Sequence, residues 1–256
     1  MMVPLLRSEN LARMPHIRHG FTTRDGGVSS GPFASLNLGT RPGELPEALG
    51  ENWSRVAHAL GHGRAEDVAL LSQVHGDEVV CVDAPQGPHR TVAEADGAFT
   101  TVPGVILTVR VADCVPVLFG APWGVGVAHA GWRGAASGVA QKVALMLATA
   151  GGDSIAAIRA AVGPHISSEV YEVGEEVVEA LRKIRVPDDV FLRKRPGARP
   201  TVDLGSAVEW QLREIGVKSV ERVKHCTVLD RRFFSHRRDG AGTGRSAGVI
   251  VMTGRP

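Results

Sequence analysis

At 256 residues, with 43% of them hydrophobic, the chain is long enough to bury a substantial core, as one large domain or two small ones. Its 29 basic and 27 acidic residues are interspersed and sum to +2, which argues against a nucleic-acid-binding surface and leaves the arginine-rich run from Arg231 to Arg245 as a solvated loop. Cys81, Cys114 and Cys226 are odd in number and widely spaced, no stretch approaches a membrane span, and the N-terminus lacks an apolar signal core. A soluble, cytoplasmic protein without a disulfide framework is therefore expected, a monomer or small homo-oligomer with no membrane partner.

Ile17 to Thr23 reads as a first strand, followed by turn chemistry from Arg24 to Pro32 and a loop through Ser35-Leu36-Asn37-Leu38-Gly39. Leu49, Trp53, Val56 and Leu60 recur at helical spacing and give one apolar stripe, ended by Gly61. Val68 to Leu71 is strand-like, Gln73-Val74-His75-Gly76-Asp77 is a turn, and Glu78 to Val82 is a further strand. Glu94 to Gly97 reads as a polar break. Val105 to Val111 and Val115 to Phe119 are apolar runs too short and too β-branched for helices. Val125 to Ala128 is a third strand after the Pro122-Trp123-Gly124 turn.

Gly131 to Gly134 should break the chain before a helix over Ala135 to Ala150, with Gly151-Gly152 as its stop. Ile155 to Val162 reads as a strand ended by Gly163-Pro164. Two covering helices follow, one on the stripe Val173, Val177, Leu181 and Ile184, the other on Ala207, Val208, Leu212 and Ile215. Val220 to Lys224 and Ser246 to Met252 are late strands. Consecutive strands between residues 68 and 128, without helices between them, predict a mixed α/β (α+β) domain over residues 1–256: one mixed sheet flanked by helices, with no doubly wound nucleotide fold.

Cys114 and His129 both fall where strands stop, beside a Gly-rich helix entrance whose free amides favour anions. His75 offers a second imidazole in a short turn. One Cys and two His at a zinc ion leave a fourth tetrahedral position open, as catalytic rather than structural zinc requires. The spacing by itself is not diagnostic, because the fold must bring the three together.

The strings HGFTTR from His19, SLNLG from Ser35, QVHG from Gln73, ADCVPVL from Ala112, HAGWRG from His129, YEVG from Tyr171 and Gly244-Arg245 occur in the order found in the laccase-domain family. The chain is identified as a member of that family by resemblance. Bacterial members have been called polyphenol oxidases, peptidoglycan editing factors and purine nucleoside phosphorylases. The resemblance implies a fold similar to cysteine deamidase toxins, with zinc held by His75, Cys114 and His129. It also implies phosphorolysis of adenosine, inosine and methylthioadenosine, with adenosine deamination alongside.

Phosphorolysis needs purine nucleosides and inorganic phosphate in one site, and phosphate needs cationic donors. Arg24, Arg133 and Arg245 are the candidates, because guanidinium forks match phosphate oxygens; Asn37 and Gln73 are candidates to read ribose hydroxyls or purine edges. Asp113 is expected to point away from the site, and Asp96, Tyr171 and His236 are explained by packing and loop anchoring as well as by catalysis.

The chain departs from the family in Gly163 to Val170, which carries no cysteine before Tyr171, so any role of cysteines there does not transfer. His165 stands in that stretch as an extra ligand or a satisfied boundary residue. Three alternatives remain: a copper-dependent polyphenol oxidase, since two imidazoles and a thiolate also suit copper; a cysteine hydrolase or amidase with Cys114 as nucleophile and His129 as base; and a zinc-stabilised binding module.

Overall fold

The computed structural model describes residues 3–152, 154–194 and 196–254. Its strands are β1 (Leu5–Leu6), β2 (Ile17–Thr22), β3 (Val68–Ser72), β4 (Val79–Cys81), β5 (Thr91–Glu94), β6 (Gly97–Thr100), β7 (Ile106–Val111), β8 (Val115–Ala121), β9 (Gly124–Ala130), β10 (Arg159–Val162), β11 (Leu192–Arg193), β12 (Thr201–Val202), β13 (Ser219–Arg222) and β14 (Ser246–Met252). The helices are α1 (Glu9–Ala12), α2 (Pro46–Leu60), α3 (Trp132–Ala136), α4 (Val139–Gly151), α5 (Glu175–Lys183), α6 (Asp188–Phe191), α7 (Leu204–Glu214) and α8 (His236–Asp239).

The class is mixed α/β, but the single sheet expected from the sequence is two six-stranded mixed sheets, in the orders β1-β2-β14-β7-β3-β5 and β13-β10-β8-β9-β6-β4. The reason lies in the central strands, which are apolar on both faces. In β7, Ile106 faces a cluster under α2 while Leu107 and Val109 face the opposite sheet. In β8, Val117 and Phe119 face α4 and α7 while Leu118 faces the first sheet. A strand apolar on both faces needs a layer on each, so the order is helix α2, first sheet, second sheet, then α4, α5 and α7.

The α2 stripe is realised. Pro46 opens the helix, Gly61 closes it in the left-handed region at φ 70°, and Leu49, Trp53, Val56 and Leu60 are buried against the first sheet. Each such side chain contributes about 1.5–3 kcal/mol by leaving water.

Three local expectations are corrected. The helix after His129 starts at Trp132 and is interrupted by Gly138 at φ 75°, so that α3 is only five residues long and α4 begins anew. Residues Ile155–Ala157 form a 3-10 turn, and only Arg159–Val162 joins the sheet. The polar break at residues 94–97 is flanked by strands β5 and β6, whose short, polar or glycine-containing sequences carry little β signal. Among the described residues, no helix is long and apolar enough to cross a membrane.

Three connections pass from the first sheet to the second on the same side of the molecule: β3 to β4 carries His75, β5 to β6 carries Asp96, and β7 to β8 carries Cys114. His129 sits near the end of β9, paired in register with Pro116 of β8. The topology thus delivers four residues separated by up to dozens of positions to one end of the two-sheet stack.

Candidate metal centre and its cleft

His75, Cys114 and His129 offer ligand atoms that all lie within 4.8 Å of one another. The Cys114 Sγ is 3.8 Å from His75 Nε2, and the two imidazole rings meet edge to face with centroids 4.9 Å apart. In a tetrahedral site with bonds of about 2.0–2.3 Å, neighbouring ligand atoms are about 3.5 Å apart, so this donor set fits a metal ion with little adjustment. His129 is buried, Cys114 partly exposed and His75 exposed, which leaves the group open on one side. Among the described residues, no other group of three or more histidines, cysteines or carboxylates has this proximity.

Asp96, fully buried, organises two of the three ligands. Its Oδ1 accepts from His129 Nδ1 at 2.7 Å and from the His75 amide at 3.1 Å. Its Oδ2 accepts from the amides of Gly76 at 2.7 Å and Val74 at 3.1 Å. A carboxylate on Nδ1 fixes the proton there and leaves Nε2 as the donor atom facing Cys114 and His75. The same bonds hold the His75 turn, in which His75 itself takes φ 64°. An ion pair between Lys142 of α4 and Asp77 steadies the turn from the other side. Burial pushes the Asp96 carboxyl upward, but His129 and the two amides outweigh it and hold it below the usual carboxylate range.

Cys114 is set by its neighbour. Asp113 adopts φ 91° and turns its carboxylate away, accepting from Thr227 Oγ1 and from the Arg237 amide, each at 2.6 Å. Burial would raise the Cys114 thiol, yet the His129 and His75 imidazoles outweigh it and bring it down to about 6. Burial would lower His129, yet Cys114 and Asp96 outweigh it and hold the imidazole above its ordinary value. Gly131 makes the close approach possible: a Cβ there would stand 2.9 Å from His75 Cδ2 and 3.4 Å from Cys114 Sγ.

The three donors open on a cleft of about 1080 Å³. Trp132, Ile166, Tyr171 and Leu204 give it an apolar wall. Arg41, Arg90, Arg110, Arg133, Arg237 and Arg245 border it, and among the described residues lining it Asp113, already engaged, is the one carboxylate. Burial first, and then the charge on Cys114, push the Tyr171 hydroxyl up to about 12. A second hollow of about 1100 Å³ lies against α2 and shares Gln86, His89 and Arg90 with the cleft.

The polar candidates separate. Arg133 and Arg245 line the cleft, with Arg133 over the Trp132 ring at 4.2 Å. Arg24 is not among the lining residues: its Nε donates to the Ala34 carbonyl at 2.7 Å and its guanidinium covers the Phe234 ring. Asn37 is fully buried, donating to Gly39 and Glu44 and accepting from the amides of Gly39 and Arg245. Gln73 reaches the cleft, but its amide is spent on both backbone groups of Arg110, at 2.8 and 2.9 Å.

The helix-end anion site expected near Gly131 is reduced to the five-residue α3. His165 is buried, 2.7 Å from the Gly163 carbonyl and 3.5 Å from Arg222, and belongs neither to the residues lining the cleft nor to the metal donors. His236 and Tyr171 do line the cleft. Arg41 and Arg110 were missed by sequence reasoning. Arg41 stands in a Pro-Gly loop, and Arg110 interrupts an apolar strand, where an arginine reads as an edge residue.

A mixed α/β protein with two stacked sheets and an open thiolate–imidazole centre at their common end is the class these features define. The family model for the multi-copper polyphenol oxidoreductase laccase matches residues 18–253, and the chain belongs to that family. A Deinococcus radiodurans protein named purine nucleoside phosphorylase is 40% identical over 255 residues, covering 99% of this chain and 94% of the relative. A Mycobacterium tuberculosis protein of the same name is 40% identical over 242 residues, 92% of each. Among solved structures, YlmD from Geobacillus stearothermophilus superposes with a TM-score of 0.87 at 35% identity over 93% of each chain. The Neisseria meningitidis protein NMB0706 gives 0.82 at 34% identity over 99% of this chain and all of that one.

Proposed function

We propose that the chain is a zinc-dependent purine nucleoside phosphorylase acting on adenosine, inosine and methylthioadenosine, with hydrolytic deamination of adenosine as a companion reaction. The observation that carries this reading is the shared cleft. Metal donors, an apolar wall and uncompensated arginines border one volume large enough for a nucleoside and a phosphate together. The relatives named purine nucleoside phosphorylase support it.

In phosphorolysis a phosphate oxygen bonds to the ribose C1′ as the C1′–N9 bond breaks, and the base leaves with the bonding electrons while positive charge develops on the sugar. Trp132, Ile166, Tyr171 and Leu204 offer the purine its apolar contact. Tyr171 keeps its proton at neutral pH and is a donor for a ring nitrogen as negative charge accumulates on the departing base. Arg133 and Arg245 offer positive charge to the phosphate. His75, Cys114 and His129 would hold the zinc, and Asp96 keeps the His129 proton on Nδ1. Bound there, zinc supplies Lewis acidity, which the companion deamination requires to activate water near neutral pH.

Purified protein of known metal content, incubated with adenosine with and without phosphate, tests the reading. Adenine and ribose 1-phosphate should form only with phosphate, and inosine should form in both mixtures. Release of neither product overturns it.

The family model's name and the donor set favour one second reading, copper-dependent phenol oxidation. Protein reconstituted with zinc alone should cleave nucleosides; turnover of a phenol only with copper, and of no nucleoside with either metal, would favour the oxidase. The lowered Cys114 thiol also suits a nucleophile. A covalent substrate adduct on Cys114 in metal-loaded protein would favour the hydrolase over phosphorolysis.

A further inference from the structure

Three guanidinium groups from separate parts of the chain line the same cleft as the metal donors and lie close enough to act on one another's charge: Arg41 from the loop before α2, Arg110 from β7 and Arg245 from the residue before β14. Among the described residues, their side-chain hydrogen bonds go only to backbone carbonyls. Arg41 Nη2 donates to Ala241 at 2.8 Å, Arg110 Nη2 to Leu71 at 2.6 Å, and Arg245 Nη1 to Thr243 and Gly244 at 2.9 Å each. Arg41 Nε is buried with no partner. The nearby carboxylates are occupied elsewhere: Glu44 accepts from Asn37 and from the Leu45 amide, and Asp113 from Thr227 and the Arg237 amide.

Like charges gathered in a partly buried place repel one another unless an anion sits among them. Burial and then Arg41 lower the Arg110 guanidinium, and burial, Arg41 and Arg110 together bring Arg245 down to about 10 despite the attraction of Cys114 and Asp113.

The scaffold behind them is built from neutral groups. Asn37 accepts from the Arg245 amide at 2.8 Å, and Gln73 clasps both the N–H and the carbonyl of Arg110. Amides fix the arginine backbones without cancelling their charge. A carboxylate in either position would set a negative charge against the arginines, and at position 73 it would also lose the donation to the Arg110 carbonyl.

We propose that Arg41, Arg110 and Arg245 form a phosphoryl-binding cradle, with Asn37 and Gln73 as its positioning residues. The inference deepens the phosphorolytic reading and rests on it for the identity of the ligand as free orthophosphate. The same chemistry would hold the phosphate of a phosphorylated nucleoside. Three guanidinium forks from three segments surround tetrahedral oxygens, which one arginine on a surface does not.

Calorimetric titration of zinc-loaded protein with orthophosphate, and separately with adenosine 5′-monophosphate, tests the cradle in wild type, Arg41→Gln and Arg110→Lys. Metal content and thermal unfolding are checked on each sample. Orthophosphate should bind wild type and weaken roughly tenfold or more in each variant, while binding of unphosphorylated inosine changes little. If Arg110→Lys does not fold, Arg41→Gln carries the comparison, because Arg41 stands on a loop outside the sheets. Equal orthophosphate affinity in wild type and variants overturns the cradle even if nucleoside cleavage still depends on phosphate. Arginine-dependent binding of the monophosphate without binding of orthophosphate keeps the cradle and removes the phosphorolytic reading. Binding of neither ligand to wild type overturns the cradle.

Discussion

The two ends of the cleft are held by opposite means. At the metal end a single buried carboxylate, Asp96, makes four hydrogen bonds, to His129 and to the turn that carries His75. At the arginine end two carboxamides, Asn37 and Gln73, clasp the backbones of Arg245 and Arg110, and among the described residues no carboxylate bonds to the guanidinium groups of Arg41, Arg110 or Arg245. A negative anchor makes an imidazole a better metal donor by fixing its proton on the far nitrogen. The same anchor beside an arginine would use up the charge an anionic ligand needs. The difference shows that preorganisation of a site selects its supporting groups by the charge the site must keep.

Removing a ligand should break the metal end most severely. Cys114→Ser keeps the size of the side chain but removes the soft thiolate. Nucleoside turnover should fall at least about a thousandfold with most of the bound zinc lost, as read by product assay and metal analysis. Retained zinc with full turnover would remove Cys114 from the centre.

Asp96→Asn is the next test, because it preserves shape and leaves the turn amides an acceptor while withdrawing charge from His129. Zinc affinity should fall about ten- to a hundredfold, measured by competition with a chelating indicator. Cobalt substitution separates positioning from mere folding: a shifted visible spectrum in a protein with unchanged circular dichroism marks an altered ligand geometry.

The same two ends differ in how far they were legible in the sequence. The donors stand in strings of distinctive residues, HAGWRG and ADC, beside turns and strand ends, so their chemistry shows locally. Asp96 does not, because its partners are amides some twenty positions earlier in the chain and an imidazole on β9, and only the crossings between two sheets bring them together. The expected single sheet hid those crossings. Asn37 and Gln73 were recognised as polar groups of interest, but residue type does not reveal whether an amide faces a ligand or a neighbouring backbone. The α2 stripe was legible because Leu49, Trp53, Val56 and Leu60 repeat at helical spacing. The break at Gly138 was not, since Val139, Val143 and Leu147 continue the apolar pattern beyond it.

Gly131→Ala probes the closeness of the metal end. The added methyl would stand 2.9 Å from His75 Cδ2, so the ring must move by a few tenths of an ångström. Zinc affinity should fall about tenfold, with a loss of about 1–2 kcal/mol in unfolding free energy. An unchanged affinity would show that His75 is free to shift.

Gln73→Glu tests the arginine end with the smallest change. It places a carboxylate beside Arg110 and removes the donation to the Arg110 carbonyl. The KM for phosphate should rise about tenfold with little change in KM for the nucleoside. An equal rise in both would mean that Gln73 contacts the nucleoside directly.

X-ray absorption at the metal edge of zinc-loaded protein addresses the central claim most directly. Convergence of His75, Cys114 and His129 on one ion predicts one sulfur and two imidazole scatterers, with a light-atom signal that changes when phosphate or nucleoside is added. A spectrum without sulfur, or one of closed protein ligation indifferent to both substrates, would contradict it.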